Sequence, residues 1–193
     1  DSACRLRQMK TNLTRSDAQT RAQLISNVRY DIAVDITGAD EFTTVSTVQF
    51  DSKAGSTHFD LVAAGFEATL DGEETGRELK LDDGAHTLTV TSHDAYNRTG
   101  EGLHKFTDPV DNKDYLYTQF EVPDSRRMFA VFEQPDLKAA FRFTVTAPAH
   151  WAVVSNQPEA SRRTLGVVAN EENPQGVDAA VWEFTPTPRI SSY

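Results

Sequence analysis

Apolar residues recur at every second position from Val28 onward: Val28, Tyr30, Ile32, Val34 and Ile36 alternate with Arg29, Asp31, Asp35 and Thr37. A period of two marks a half-buried strand, because successive side chains point to opposite faces. Gly38 ends this one. The same texture returns at 43–50, 57–63, 66–70, 77–81, 86–92, 115–121, 140–146, 151–155, 164–169 and 179–185. Turn formers separate the runs, among them Asp71 with Gly72, Asp83 with Gly84, and Asn156 to Pro158. Many short strands at close spacing predict an all-β domain, a sandwich-like or strongly curved antiparallel sheet.

Helical patterning is sparse. Residues 13–26 predict one short N-terminal helix, with Thr14 and Asp17 as a capping box and Ala18, Ala22 and Ile25 as a narrow apolar stripe. Asn27 should stop it, and its basic character puts it on the surface. Residues 125–132 are a second helical candidate, and 170–178 read as a polar loop.

The 193 residues suffice for one domain with a sizeable core, and 38% hydrophobic with 25% charged residues is an ordinary globular balance. No run approaches the roughly 20 apolar residues of a membrane helix. The net charge of −10 disfavours nucleic acid and anionic membrane as partners. The single cysteine, Cys4, excludes an internal disulfide and fits a cytoplasmic location. Residues 1–8 lack the apolar core of a secretory signal and read as a tail or upstream extension, with Met9 as a possible start and 9–193 as the β domain. The close of the chain, 185–193, leaves a strand with no turn after it, as though cut before a further domain. Two N-x-[ST] matches, at Asn12 and Asn97, are short enough to arise by chance.

Catalytic constellations are mostly missing, and the 29 acidic residues give too many pairs to single out an Asp/Glu acid and base. His58, His86, His93, His104 and His150 form no i, i+4 pair and head no H-E-x-x-H, so no protease-type zinc site is expected and each reads as a surface residue. There is no Gly-rich phosphate loop, C-x-x-C or G-x-S-x-G. Segment 97–138 stands apart, because its glycines, prolines and charges crowd around aromatics as in a structured functional loop. Within it, Tyr115, Tyr117, Gln119 and Glu121 fall on one strand face and Leu116, Thr118 and Phe120 on the other. Positions i and i+2 lie about 7 Å apart, so Gln119 and Glu121 can address one small ligand. An amide beside a carboxylate suits an ammonium group with an adjacent polar backbone. The plain alternative is a solvated Glu at a strand end.

The run Thr118, Gln119, Phe120, Glu121, followed by Asp124 to Arg127 and then Phe129 to Asp136, resembles the aminopeptidase N family of zinc metallopeptidases, which carries T-Q-x-E and an R-x-x-F-P/A-x-F-D-x-P element. Segments 97–106 and 108–111 resemble its actinobacterial members, and 151–156 and 186–193 also fit the family. The resemblance implies a saddle-shaped N-terminal β domain of a multidomain exopeptidase. It implies that Gln119 lines the pocket for the first side chain and that Glu121 helps hold the free α-ammonium of peptide N-termini. It places zinc and the catalytic residues in a following catalytic domain on which this one packs, so this chain alone should bind no metal and hydrolyse nothing. Glu133 stands where the family more often has Asp, a change expected to act on packing or a local hydrogen bond. Strand texture by itself fits a free-standing β-sandwich interaction module equally well, or a scaffold in which Gln119 and Glu121 matter little.

Overall fold

The computed structural model describes residues 13–169 and 174–193. Cys4, Met9, the expected 1–8 tail, Asn12 and positions 170–173 of the expected loop lie outside the described residues.

One helix, α1 (Arg15–Leu24), opens the fold. Thr14 caps it, taking the Asp17 N–H at 3.2 Å while the Asp17 carboxylate takes the Thr14 N–H at 3.4 Å. The capping box is as expected; the buried face is not. Ala22 is exposed, and the residue α1 buries is Arg21, 2% exposed. The helix stops at Leu24 rather than 26, because Ile25 already belongs to a strand. Asn27 sits in that strand's bulge, with φ +54.

Twelve strands follow: β1 (Ile25–Asp35), β2 (Glu41–Ser52), β3 (Gly55–His58), β4 (Gly65–Leu70), β5 (Glu73–Glu74), β6 (Glu78–Leu81), β7 (Gly84–Ala95), β8 (Gly102–Thr107), β9 (Asp114–Gln119), β10 (Ala140–Pro148), β11 (Glu159–Val168) and β12 (Val177–Phe184). Eight form one sheet in the order β11-β12-β10-β1-β2-β7-β4-β5; β3 pairs with β6 and β8 with β9 as separate ribbons. The all-β expectation holds, with one correction. The large sheet is mixed, because β1 and β10 run parallel, Arg29 opposite Ala140 through Asp35 opposite Thr146. The chain leaves the sheet after β7, builds the β8–β9 hairpin, and returns through 120–139 to lie beside β1. A crossover of that length is what a parallel pair requires.

The alternation of β1 maps onto burial: Val28, Tyr30, Ile32 and Val34 are each at most 3% exposed. Three more runs change status. Residues 151–155 make no strand, since both edges of β10, the strand that precedes them, are taken by β1 and β12. Residues 125–132 form only a 3-10 turn (Ser125–Arg127) before an irregular stretch. The run at 57–63 is a strand only to His58.

That irregular stretch is buried: Met128 to Phe132 are all at most 6% exposed and pack on the large sheet. The Ala130 N–H donates to Ser46 Oγ at 3.0 Å and the Phe132 N–H to the Tyr30 hydroxyl at 3.0 Å. Buried backbone without sheet partners needs such acceptors. Burial pushes the Tyr30 phenol upward in pKa, so it stays neutral. Among the described residues no helix is long and apolar enough to cross a membrane.

Candidate functional site

The site region is the β8–β9 hairpin and the turn that leaves it. The register sets Phe106 opposite Tyr115, His104 opposite Tyr117 and Gly102 opposite Gln119. Gln119 therefore faces a residue with no side chain. Gly102 has φ +65, and a Cβ there would stand 2.7 Å from Arg127 Cβ. Its bare backbone lets the hairpin close onto the 3-10 turn, where Arg127 bonds Asp124 at 2.6 Å and Glu101 at 3.3 Å. Sequence reasoning did not single out Gly102; the Gly100-Glu101-Gly102 spacing beside a strand was the available signal.

β9 ends at Gln119, so Glu121 is not on a strand face but in the following turn, immediately before the cis Val122–Pro123 bond. The two side-by-side positions survive by a different route. The Glu121 N–H donates to Gln119 Oε1 at 2.6 Å, which ties the amide to the backbone that carries the carboxylate. Both residues are exposed. Between them Phe120 turns inward and stacks edge-on against Phe129 at 5.6 Å, joined through Phe141 to Tyr30. Phe120 is the apolar pin of the turn.

Gln119 and Glu121 line one open hollow of about 560 Å³, together with Phe141, Phe143, Ser192 and Tyr193. Among the described residues no side chain bonds the Glu121 carboxylate, while Gln119 keeps its amide NH2 as a donor. A solvated carboxylate and an amide donor on an aromatic-walled hollow can pair with an ammonium and an adjacent carbonyl.

Beneath the turn lies a buried polar cluster. The Glu133 carboxylate takes the Ser125 hydroxyl, the Arg126 N–H at 3.1 Å and the Ser192 hydroxyl at 2.6 Å. Its own N–H donates to Asp60 Oδ2 at 3.0 Å, and Arg21 Nη1 donates to the same oxygen at 3.1 Å. Burial works against the charge on Asp60, but the His58 hydrogen bond, the Arg21 guanidinium and the Glu133 N–H outweigh it and hold its carboxyl below the usual range. The expectation at Glu133 is an effect on packing or a local hydrogen bond; the structure shows hydrogen bonds, and the cluster reaches as far as Arg21. Nothing near Arg21 in sequence signals its partner, since Asp60 lies in another element.

The histidines are scattered, and His86 is not a free surface residue: its Nδ1 meets Asp71 at 2.6 Å. Among the described residues no three His, Cys, Asp or Glu side chains come together to hold a metal. At Asn97 the N-x-[ST] match is turn chemistry, its Oδ1 accepting the Thr99 N–H at 2.6 Å and hydroxyl at 2.7 Å.

Residues 40–193, which include the whole hairpin, turn and Glu133, match the family described as the peptidase M1 N-terminal domain. The chain belongs to that family. Aminopeptidase N of Streptomyces lividans is 47% identical over 95% of this chain, and aminopeptidase N of Acetobacter pasteurianus is 35% identical over 67% of it. Aminopeptidase Ey of Gallus gallus is 36% identical over a shorter 39%. The chain spans only 22% and 36% of the first two relatives' own lengths. As an M1 N-terminal domain it is the aminopeptidase N type of domain that its resemblance implied, with the hairpin and turn inside the matched span. The matched span begins after α1 and β1, so Arg21 lies outside it.

Proposed function

We propose that this domain serves a zinc-dependent aminopeptidase by holding the free amino end of a peptide at Gln119 and Glu121. The observation that carries the reading is the exposed Glu121 carboxylate, with no side-chain partner among the described residues, fastened to Gln119 on the wall of an aromatic hollow. Glu121 pairs with the α-ammonium through charge-assisted hydrogen bonds, which are about twice as strong as neutral ones. Gln119, its carbonyl oxygen already engaged, offers its NH2 beside the first side chain. A charged N-terminus fixed there sets the first peptide bond at one distance from the anchor, which makes the reaction exopeptidic. Zinc belongs to the rest of the protein, as the resemblance to the zinc metallopeptidases implies. The hydrolytic residues lie there too, in a catalytic domain on which this one packs. The relatives' names and the much greater lengths of those proteins support that division. The protein works in the cytoplasm on peptide N-termini, a setting that suits one cysteine and a charge of −10.

The test is Glu121→Gln in the full-length protein. Replacing the carboxylate by a neutral isostere should cost about 2–5 kcal/mol of transition-state binding, read as kcat/KM on an aminoacyl amide. A fall of less than about threefold contradicts the assignment. The 193-residue chain supplied with zinc should release no amino acid from the same substrate.

A further inference from the structure

The position of Glu121 depends on what holds the turn that carries it, an inference that rests on the anchoring role proposed for it. Glu133 is 6% exposed, and its three donors come from two different segments. Ser125 and Arg126 belong to the turn that continues directly from Glu121; the Asp124 N–H closes that turn on the Phe120 carbonyl at 3.0 Å. Ser192 belongs to the C-terminal segment. Both segments line the same hollow, Gln119 and Glu121 from one and Ser191, Ser192 and Tyr193 from the other. One carboxylate therefore bolts two walls of the hollow together. Its backbone N–H is anchored in turn to Asp60, which Arg21 also holds.

Stability alone does not explain an acid at this position. A buried charge is costly to strip of water, and well-packed apolar replacements of buried ionic groups are often neutral or stabilising. What an ion surrounded by directional donors supplies is register: the donors must sit at fixed positions for it to be satisfied. Phe120 fixes only the depth of the turn, since apolar contact has no direction. The hydrogen bonds to Glu133 fix its position along the hollow.

We propose that Glu133 is a positioning residue for substrate binding, holding the turn that bears Glu121 in register with the C-terminal segment across the hollow. It touches no substrate and acts through Glu121. Losing it should loosen the ammonium anchor and leave the chemistry in the rest of the enzyme unchanged.

The experiment is steady-state kinetics of the full-length protein on an aminoacyl anilide for wild type, Glu121→Gln, Glu133→Gln, Glu133→Asp, Ser192→Ala and the double variant Glu121→Gln/Glu133→Gln. Glu133→Gln should raise KM about tenfold with kcat within about threefold, and Glu133→Asp, which keeps the carboxylate and both acceptor oxygens, should restore most of the loss. In the Glu121→Gln background the same Glu133→Gln change should add less than about twofold, because the group it positions is gone. Ser192→Ala removes one strut only and should raise KM about threefold, which keeps the idea testable should Glu133→Gln fail to fold. Equal effects of Glu133→Gln in both backgrounds, or an unchanged KM in Glu133→Gln or Ser192→Ala beside an impaired Glu121→Gln, would overturn the positioning role alone. An unimpaired Glu121→Gln would overturn the anchoring role itself.

Discussion

In β1 every second side chain is sealed, Val28, Tyr30, Ile32 and Val34 at no more than 3% exposure, whereas in β9 Tyr115 and Tyr117 stand about half exposed and Gln119 faces solvent. β1 has a neighbour on each side and a core against one face; β9 has only β8. An isolated two-stranded ribbon is marginal in water, so the hairpin depends on what it rests upon. It rests on Leu103, 5% exposed, on Phe120, and on the polar cluster around Glu133 and Asp60. The sheet is held by apolar area, which has no direction. The ledge is held by a few directional bonds, which leave its functional groups free in water. Substitutions in the two regions should therefore separate stability from binding.

The largest effect is expected at the foot of the ledge. Arg21→Met strands the Asp60 carboxylate in a buried site, a loss of about 3–5 kcal/mol. Thermal unfolding should come roughly 10 °C earlier, and an unchanged Tm would mean that the cluster is not the support assigned to it. Within the sheet, Leu88 on β7 is wholly buried, and Leu88→Ala should cost about 2–5 kcal/mol through lost contacts and a cavity. Its counterpart Gln119→Ala should stay within about 0.5 kcal/mol of wild type. Comparable losses in chemical denaturation would erase the contrast between the regions. Gly102→Ala lies between these: positive φ and a Cβ against Arg127 predict a cost of about 1–3 kcal/mol, with the hairpin amides the first to lose hydrogen-exchange protection.

A smaller effect than that at Gly102 concerns a polar contact between β7 and the turn after β4. Burial disfavours the proton on His86, but Asp71 and the Asp82 carbonyl outweigh it and raise its pKa; burial likewise opposes charge on Asp71, but the Thr87 N–H and His86 hold its carboxyl low. The His86 contribution is complete below about pH 6.5 and fades as pH rises through the raised folded value. The Asp71 contribution is complete above about pH 4 and fades as pH falls through the lowered one. Both are in force between those limits. Asp71 is 47% exposed, so screening caps the pair at about 1 kcal/mol. The Tm of wild type should fall by about 2–4 °C more than that of His86→Ala between pH 5.5 and 8.5.

The strands of the sheet were readable because a period of two records which face is buried. Partners were not, since the same alternation serves either direction, and the parallel pairing of β1 with β10 escaped notice. Strand β8 was hidden for another reason: Gly102 to Thr107 mixes glycine, histidine and lysine, and its alternation is not one of buried against exposed. Residues 151–155 alternate convincingly, but both edges of the strand before them are already taken by β1 and β12. Gln119 and Glu121 were chosen for a strand face that ends one residue after Thr118, yet a hydrogen bond brings them together. At Glu133 the sequence leaves packing or a local hydrogen bond open, and its link to Ser192 and Arg21 depends on contacts distant in sequence.

The most direct test of the ledge compares two competitive inhibitors of the full-length protein, an amino-acid amide and its deamino analogue, on wild type and on Glu121→Gln. If the Glu121 carboxylate holds the ammonium, the preference of wild type for the amine should shrink about tenfold or more in the variant. A preference unchanged within about twofold would contradict the account.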